Sequence, residues 1–329
     1  MKPKVLITRK IFPQIIERLT SYCDLTLNDS DEIWSASELA SRMASMDGVL
    51  ASITEKIDMA LLDCCPNLKA ISNIATGYNN IDVKACTAHG VMVTNTPGVL
   101  EDTTADLTFA LLLAAARRIT EAEAWLRNGD WKKGFALQQL VGCDVHHATL
   151  GIIGMGRIGQ AIARRGAGFD MSILYHNRSR MPAEQEAQLH ADWRRDMDDL
   201  LAESDFVVVM VPYSPLTHHL IGERELALMK PSAILVNTAR GGVVDDAALI
   251  QALKAGRIAG AGLDVFENEP GLNPEYLQLR NVVLTPHIGS ATLATRTKMA
   301  MLAAENLSAA LSGTVPPNLV NRDVLDHVH

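Results

Sequence analysis

Short apolar runs alternate with helix-patterned stretches along nearly the whole chain, and this rhythm restricts the fold more than any other feature. Strand-like runs separated by helices cannot pair as hairpins. They require a parallel sheet with crossover helices. In the first third, strands are expected near Val5–Thr8, Leu25–Leu27, Val49–Ser52, Ala70–Ile74 and Val91–Thr94, with helices such as Ile11–Leu19 and Ser37–Ala44 between them. The turn signal Asn95-Thr96-Pro97-Gly98 closes this first α/β unit. A second series has strands at Leu150–Ile153, Met171–Tyr175, Phe206–Val211, Ala233–Asn237, Ala261–Asp264 and Val282–Leu284. Helices are expected at Ile158–Gly168, Asp196–Ala202, Glu223–Met229 and Asp245–Ala255, giving a six-stranded doubly wound sheet. Glu101–Arg118 and Ala291–Leu311 read as long helices at the junctions of the two units, where they carry the chain across. Pro316-Pro317 cannot continue the second of them.

The 329 residues are 48% apolar and 21% charged, enough apolar material for large cores and about two domains. A net charge of −8 and few aromatic residues argue against nucleic-acid and anionic-membrane partners. Phe109–Ala116 is the longest apolar run, far short of the roughly 20 residues that span a bilayer. The Met-Lys-Pro-Lys start has no signal-peptide core. Cys23, Cys64, Cys65, Cys86 and Cys143 form no CxxC pair or zinc spacing, so a reducing, cytoplasmic setting is expected. The histidine pairs 146–147 and 218–219 also lack metal-binding spacing, and strand neighbours would point to opposite faces.

Thr149-Leu-Gly-Ile-Ile-Gly154-Met-Gly156-Arg157-Ile158-Gly159 carries G-x-G-x-x-G between an apolar strand and a helix, the context in which the spacing has a mechanism. Gly154 permits the tight turn, Gly156 lets the backbone approach a pyrophosphate, and Gly159 lets helix and strand pack closely. The helix N-terminus then offers N–H groups and a positive dipole end to the phosphates. An NAD-preferring site places a carboxylate at the end of the next strand. Here that slot reads His176-Asn177-Arg178-Ser179-Arg180, with no carboxylate. Guanidinium groups suit a 2′-phosphate, so NADP(H) is the expected preference, with NAD(H) still usable.

Ligands of doubly wound sheets sit beyond the carboxyl ends of the strands. Arg240, Glu269 and His287 follow three successive strands at those ends. Together they match reduction of a 2-keto acid, which needs a hydride at the carbonyl carbon and a proton at its oxygen. An imidazolium at His287 would supply the proton and, in reverse, accept it. Glu269 would favour the charged imidazole and fix its orientation. Arg240 would bind the substrate carboxylate and polarise the carbonyl.

Gly151–Gly159, Asn237-Thr-Ala-Arg-Gly-Gly-Val-Val-Asp245, Gly262-Leu-Asp-Val-Phe-Glu-Asn-Glu-Pro270 and Thr285-Pro-His-Ile-Gly-Ser290 together resemble the D-isomer-specific 2-hydroxyacid dehydrogenase family over essentially the whole chain. Within it, the Gly142–Gly159 segment and the arginine-bearing loop look most like glyoxylate/hydroxypyruvate reductases and the similar 2-ketogluconate reductases. The resemblance implies two doubly wound, Rossmann-like or flavodoxin-like domains. The cofactor domain, 101–289, would be inserted in a discontinuous substrate domain of 1–100 and 290–329, with the active site in the cleft between them. It also implies that the backbone amides of Thr76 and Gly77 bind the substrate carboxylate. Thr104, Val211, Thr217, Ala239, Asp264 and Gly289 match positions lining the cofactor, and a homodimer forms through the Ala122–Gly134 region with Trp125 and Trp131. Two departures stand out. Leu140 and Val141 occupy a stretch where many such reductases carry a tryptophan that reaches the neighbouring subunit's pocket, and Glu101 replaces a small hydroxyl residue. Other functions on this architecture are a non-catalytic dinucleotide-sensing regulator and a dehydrogenase of formate or phosphite.

Overall fold

A computed structural model describes residues 1–326. The chain divides into two compact units, one made of Met1–Leu100 with the segment from Ala291 onward, the other of Glu101–Ser290. The first unit begins with β1 (Lys4–Ile7), α1 (Pro13–Thr20), β2 (Asp24–Leu27), α2 (Ala36–Met43), β3 (Gly48–Ala51), α3 (Met59–Leu62), β4 (Ala70–Asn73), α4 (Val83–Ala88) and β5 (Met92–Thr94). Its strands form one parallel sheet in the order β2-β1-β3-β4-β5. The central strands β3 and β4 are buried at every residue, as expected of strands covered on both faces. Helix starts are set locally: Ser35 and Glu38 form a capping box on α2, while Asp58 and Asp82 cap α3 and α4.

The second unit opens with α5 (Glu101–Ala116) and α6 (Ile119–Arg127), broken apart at Arg118 in the left-handed region (φ 52°). There follow β6 (Thr149–Ile153), α7 (Arg157–Ala167), β7 (Ser172–His176), α8 (Ala183–Leu189), β8 (Ala191–Trp193), α9 (Met197–Glu203) and β9 (Phe206–Val209). The series ends with α10 (Glu223–Leu228), β10 (Ile234–Asn237), α11 (Asp246–Lys254), β11 (Gly260–Leu263) and β12 (Val282–Leu284). All pairings are parallel, in the order β12-β11-β10-β9-β6-β7-β8. The order reverses between β6 and β9, the switch point at which such sheets bind nucleotides. Helix α5 lies against β10 and β11. A Cβ on Gly262 would stand only 3.0 Å from Leu111 Cβ, so glycine there permits that approach.

The chain then returns to the first unit through α12 (Leu293–Leu311). Its buried face is built from Ala300, Ala303, Ala304, Leu307 and Ala310, packed with Val5, Ile7, Ile15, Leu19 and Leu50. Ser72 Oγ donates to the Ala303 carbonyl at 2.7 Å, and Asn306 Nδ2 to that of Asn95 at 3.1 Å.

Several sequence expectations are corrected. The second sheet has seven strands, because β8, only three residues long, gives no readable alternation. Helices α3, α4, α6 and α8 were not anticipated; three of these four have fewer than eight residues, below what periodicity resolves. Strand β9 ends at Val209 rather than Val211, and α5 stops at Ala116 rather than Arg118.

The five cysteines are free thiols. Burial pushes Cys65 up to about 11 and Cys86 to about 12, so neither is a thiolate nucleophile near neutral pH. No described helix is long and apolar enough to cross a membrane.

Candidate active site

The glycine loop leaves β6 at the switch point. Gly154 has φ 103°, and a Cβ there would lie 2.4 Å from the Met210 carbonyl oxygen and 2.9 Å from Val211 Cγ1. A Cβ on Gly159 would lie 2.3 Å from the Gly154 carbonyl oxygen, so only glycine lets α7 start this close to the turn. Gly156 is different: its Cβ position meets nothing within 4 Å. An open backbone face there, at the N-terminus of an eleven-residue helix without a side-chain cap, fits a dinucleotide pyrophosphate. Arg157 and Ile158 form the first turn of that helix. Asn177, at the end of β7, braces the loop by accepting from the Met155 amide at 2.8 Å.

The two arginines after β7 have different surroundings. Arg178 and Ser179 are exposed. Arg180 makes a bidentate pair with Glu186 of α8, at 2.8 Å from Nη2 and 2.9 Å from Nε, and its guanidinium stands 5.7 Å from the Trp193 ring centroid. The Glu186 carboxylate also accepts from the Tyr175 hydroxyl, which in turn accepts the Met181 amide. The Arg180 and Tyr175 hydrogen bonds hold the Glu186 carboxyl below the usual carboxylate range.

At the other strand ends the predicted residues come together. Thr104, Asp264 and Gly289 meet: the Cβ position of Gly289 lies 3.3 Å from Asp264 Oδ2 and 3.5 Å from Thr104 Cγ2. Asp264 is buried and accepts from Thr285 Oγ1 at 2.6 Å and from the Ile288 and Gly289 amides at 2.8 Å. Burial wins over these donors and raises its carboxyl above the usual range. Thr217 accepts from the Ser214 amide and donates to the Pro212 carbonyl, closing the loop after β9.

At the end of β10, Asn237 accepts from the Ala239 amide and donates to the Arg240 carbonyl, both at 3.1 Å. Asn237 thus braces the turn that carries Arg240, a role its place in the sequence does not signal. Arg240 is half-buried and its Nη1 donates to the Ala239 carbonyl at 2.7 Å. Burial lowers its guanidinium from the ordinary value, and the Glu269 carboxylate acts in the opposite sense. Gly241 is in direct backbone contact with the next loop, since a Cβ there would fall 1.8 Å from the Phe266 carbonyl oxygen.

Glu269 and His287 form the central pair. Glu269 Oε2 lies 2.6 Å from His287 Nδ1, and Oε1 accepts from the Phe266 amide at 2.9 Å. The His287 amide donates to the Asp264 carbonyl at 2.9 Å, fixing the residue with φ 53°. A carboxylate only accepts, so Nδ1 carries the hydrogen and Nε2 is left as the nitrogen that can exchange a proton. Burial opposes ionisation of Glu269. The His287 hydrogen bond and charge, the Phe266 amide and Arg240 outweigh it and hold the carboxyl below its ordinary value.

In the first unit, Thr76 and Gly77 sit on a loop after β4. Thr76 Oγ1 donates to the Thr96 carbonyl, Asn95 Nδ2 to that of Thr76, and Asn73 Nδ2 to that of Gly77. Among the described residues no backbone acceptor faces the amides of Thr76 and Gly77. The paired histidines do not lie in strands, contrary to the expectation that their rings diverge. His218 and His219 sit on the loop after β9 with rings stacked at 3.9 Å, and the rings of His146 and His147 are 5.2 Å apart.

A parallel sheet with an open glycine loop at its switch point, and a histidine–carboxylate pair at the ends of the strands three and four places away, marks an NAD(P)-dependent oxidoreductase. Residues 109–289 match the family model described as D-isomer specific 2-hydroxyacid dehydrogenase, NAD binding domain. The chain is 51% identical to a glyoxylate reductase of Thermococcus litoralis over 99% of this chain and 98% of that protein. It is 49% identical to a glyoxylate reductase of Pyrococcus horikoshii, again over 99% of this chain and 98% of that protein. Among solved structures, an NADPH-dependent glyoxylate/hydroxypyruvate reductase from Sinorhizobium meliloti, in complex with NADP and malonate, superposes with a TM-score of 0.87 at 36% identity, covering 98% of each chain. The chain belongs to the D-isomer-specific 2-hydroxyacid dehydrogenase family.

Proposed function

We propose that this protein reduces small 2-keto acids to D-2-hydroxy acids, glyoxylate to glycolate and hydroxypyruvate to D-glycerate, with NADPH preferred over NADH. The observation that carries the reading is the 2.6 Å contact between Glu269 Oε2 and His287 Nδ1, with Arg240 at the neighbouring strand end. The names of the archaeal relatives and of the Sinorhizobium structure support the substrate class. The second unit takes the cofactor on the Gly154–Gly159 loop, with Thr104, Val211, Thr217, Ala239, Asp264 and Gly289 along its length. Arg178 meets the 2′-phosphate, flanked by Asn177 and Ser179, while Arg180 supports that loop through Glu186.

When bound, the nicotinamide supplies the hydride that reaches the carbonyl carbon. Arg240 holds the substrate carboxylate, and its guanidinium polarises the keto oxygen. His287 Nε2 gives its proton to that oxygen, forming the hydroxyl, and the neutral ring stays aligned because Nδ1–H still donates to Glu269. Oxidation of the hydroxy acid runs the same proton back to Nε2.

A homodimer fits the second unit's surface, where Ile119, Leu126, Trp131, Phe135, Leu137 and Val141 are exposed within one stretch of chain. Five free thiols fit the reducing cytoplasm. The deciding experiment is kcat/KM for glyoxylate, hydroxypyruvate and 2-ketogluconate, each with NADPH and NADH. The proposal expects the first two substrates and NADPH to lead. Highest efficiency with 2-ketogluconate would move the assignment to the related reductase. Absence of turnover with all three substrates would overturn it.

A further inference from the structure

Beside the proposed acid–base pair lies a second histidine–carboxylate cluster to which the reading above gives no task. His219 Nε2 is 2.6 Å from Glu267 Oε1, and Nδ1 is 3.5 Å from Asp245 Oδ2. Glu267 is two residues before Glu269 on the same loop. Asp245 ends the segment that begins at Arg240 and caps α11 through the Ala248 amide. The His219 amide also donates to the Gly242 carbonyl at 2.8 Å, while the Ile221 amide donates to the Val243 carbonyl and the Asp245 amide to that of Ile221. Three stretches of chain therefore meet at one imidazole: the loop after β9, the segment after Arg240, and the loop before Glu269.

The remaining neighbours complete the clamp. His218 stacks on His219, and the Tyr213 hydroxyl lies 3.3 Å from His218 Nδ1. The Glu267 amide donates to Asp246 Oδ2, whose other oxygen accepts from the buried Tyr276 hydroxyl. We propose that His219 is a positioning residue for the reaction, tying the loop that carries Glu269 to the segment that carries Arg240. Gly241 already touches the Phe266 carbonyl, so these two stretches share one contact through the backbone and a second through His219. Removing the ring leaves the Glu267 and Asp245 carboxylates with no group between them, and their repulsion pushes the two stretches apart. Arg240 and Glu269 then lose their mutual register, although neither is altered, and misplacements of about 1 Å lower turnover up to about 100-fold.

This inference rests on the acid–base reading of His287 and Glu269, and its test separates the two. His219→Ala, Glu267→Ala and the double variant are compared with His287→Ala. The readouts are kcat and KM for glyoxylate, the stoichiometry and Kd of NADPH binding, and thermal unfolding. His219→Ala is expected to lower kcat/KM about tenfold through both a higher KM and a lower kcat, with one NADPH bound per chain at a Kd within twofold. Glu267→Ala should do the same, and the double variant should be no worse than either single change. His219→Gln, which can still donate to Glu267, should recover much of the loss, and it replaces the alanine variant if that variant does not fold. Unchanged kcat/KM in His219→Ala alongside an inactive His287→Ala would overturn the positioning role alone, as would additive losses or reduced NADPH stoichiometry. Retained activity in His287→Ala would overturn the acid–base reading itself.

Discussion

Arg178→Ala and Arg180→Ala should have opposite phenotypes, although the two arginines are separated by one serine. Arg178 is exposed beside the glycine loop's brace at Asn177 and has its guanidinium available for a 2′-phosphate. A charge-assisted hydrogen bond contributes about 1.5–3 kcal/mol, and solvent screening brings an exposed one toward the lower part of that range. Arg178→Ala should therefore reduce the ratio of kcat/KM with NADPH to that with NADH by about 10- to 30-fold, leaving NADH-dependent turnover nearly intact. Arg180 instead serves Glu186, whose side chain is only 9% exposed, through a bidentate pair. Removing it leaves that carboxylate with the Tyr175 hydroxyl alone. With Arg180 itself 59% exposed, solvent screening keeps the loss of stability small. A modestly lower Tm is expected, with the cofactor ratio unmoved. Steady-state kinetics with both cofactors, inhibition by 2′,5′-ADP, and thermal melts of both variants decide the matter. If Arg180→Ala lost the NADPH preference while Arg178→Ala kept it, the assignment of Arg180 to Glu186 would be refuted for the cofactor-bound enzyme.

Three further outcomes follow from the site. His287→Ala should lower kcat by about 10²–10⁴-fold, the usual range for a general acid, with NADPH affinity within twofold in a fluorescence titration. In the wild type, keto-acid reduction should weaken as pH rises and hydroxy-acid oxidation should weaken as pH falls, because reduction takes up a proton along with the hydride and oxidation releases one. Glu269 is held below the ordinary carboxylate range, so its contact with His287 persists to lower pH than a free carboxylate would allow. pH profiles measured in both directions check this, and matching limbs in the two directions would contradict it. Gly241→Ala should fold poorly or lose several degrees of Tm, since its methyl would fall 1.8 Å from the Phe266 carbonyl oxygen, and differential scanning calorimetry reads that directly.

Parallel strands buried on both faces are near-continuous apolar runs, which is why β3, β6 and β10 are legible in the sequence to within a residue or two. The glycine loop was legible because each glycine has its own steric reason, and the strand-end positions of Arg240, Glu269 and His287 followed from the strands themselves. What escaped was set by side chains meeting across turns. Nothing in Ala183-Glu-Gln-Glu-Ala singles out Glu186 over Glu184, yet only Glu186 meets both Arg180 and Tyr175. The rule that strand neighbours diverge failed for His218 and His219 because a turn places their rings in a stack. Helix α6 was missed because it buries none of its residues and so shows no core-facing stripe.

The return of the chain through α12 bears on how the protein is made. The five strands of the first unit are complete by Thr94, but the alanine-rich face that covers Val5, Ile7 and Leu50 is not encoded until Leu293–Leu311. At ribosomal rates of about 5–20 residues per second, that sheet emerges roughly 10–40 seconds before its covering helix. During this interval the second unit, continuous from Glu101 to Ser290, can complete its own core, while the first keeps an apolar face open to solvent. Synthesis of the first hundred residues therefore does not complete the older unit, whose core closes only once Leu293–Leu311 has emerged.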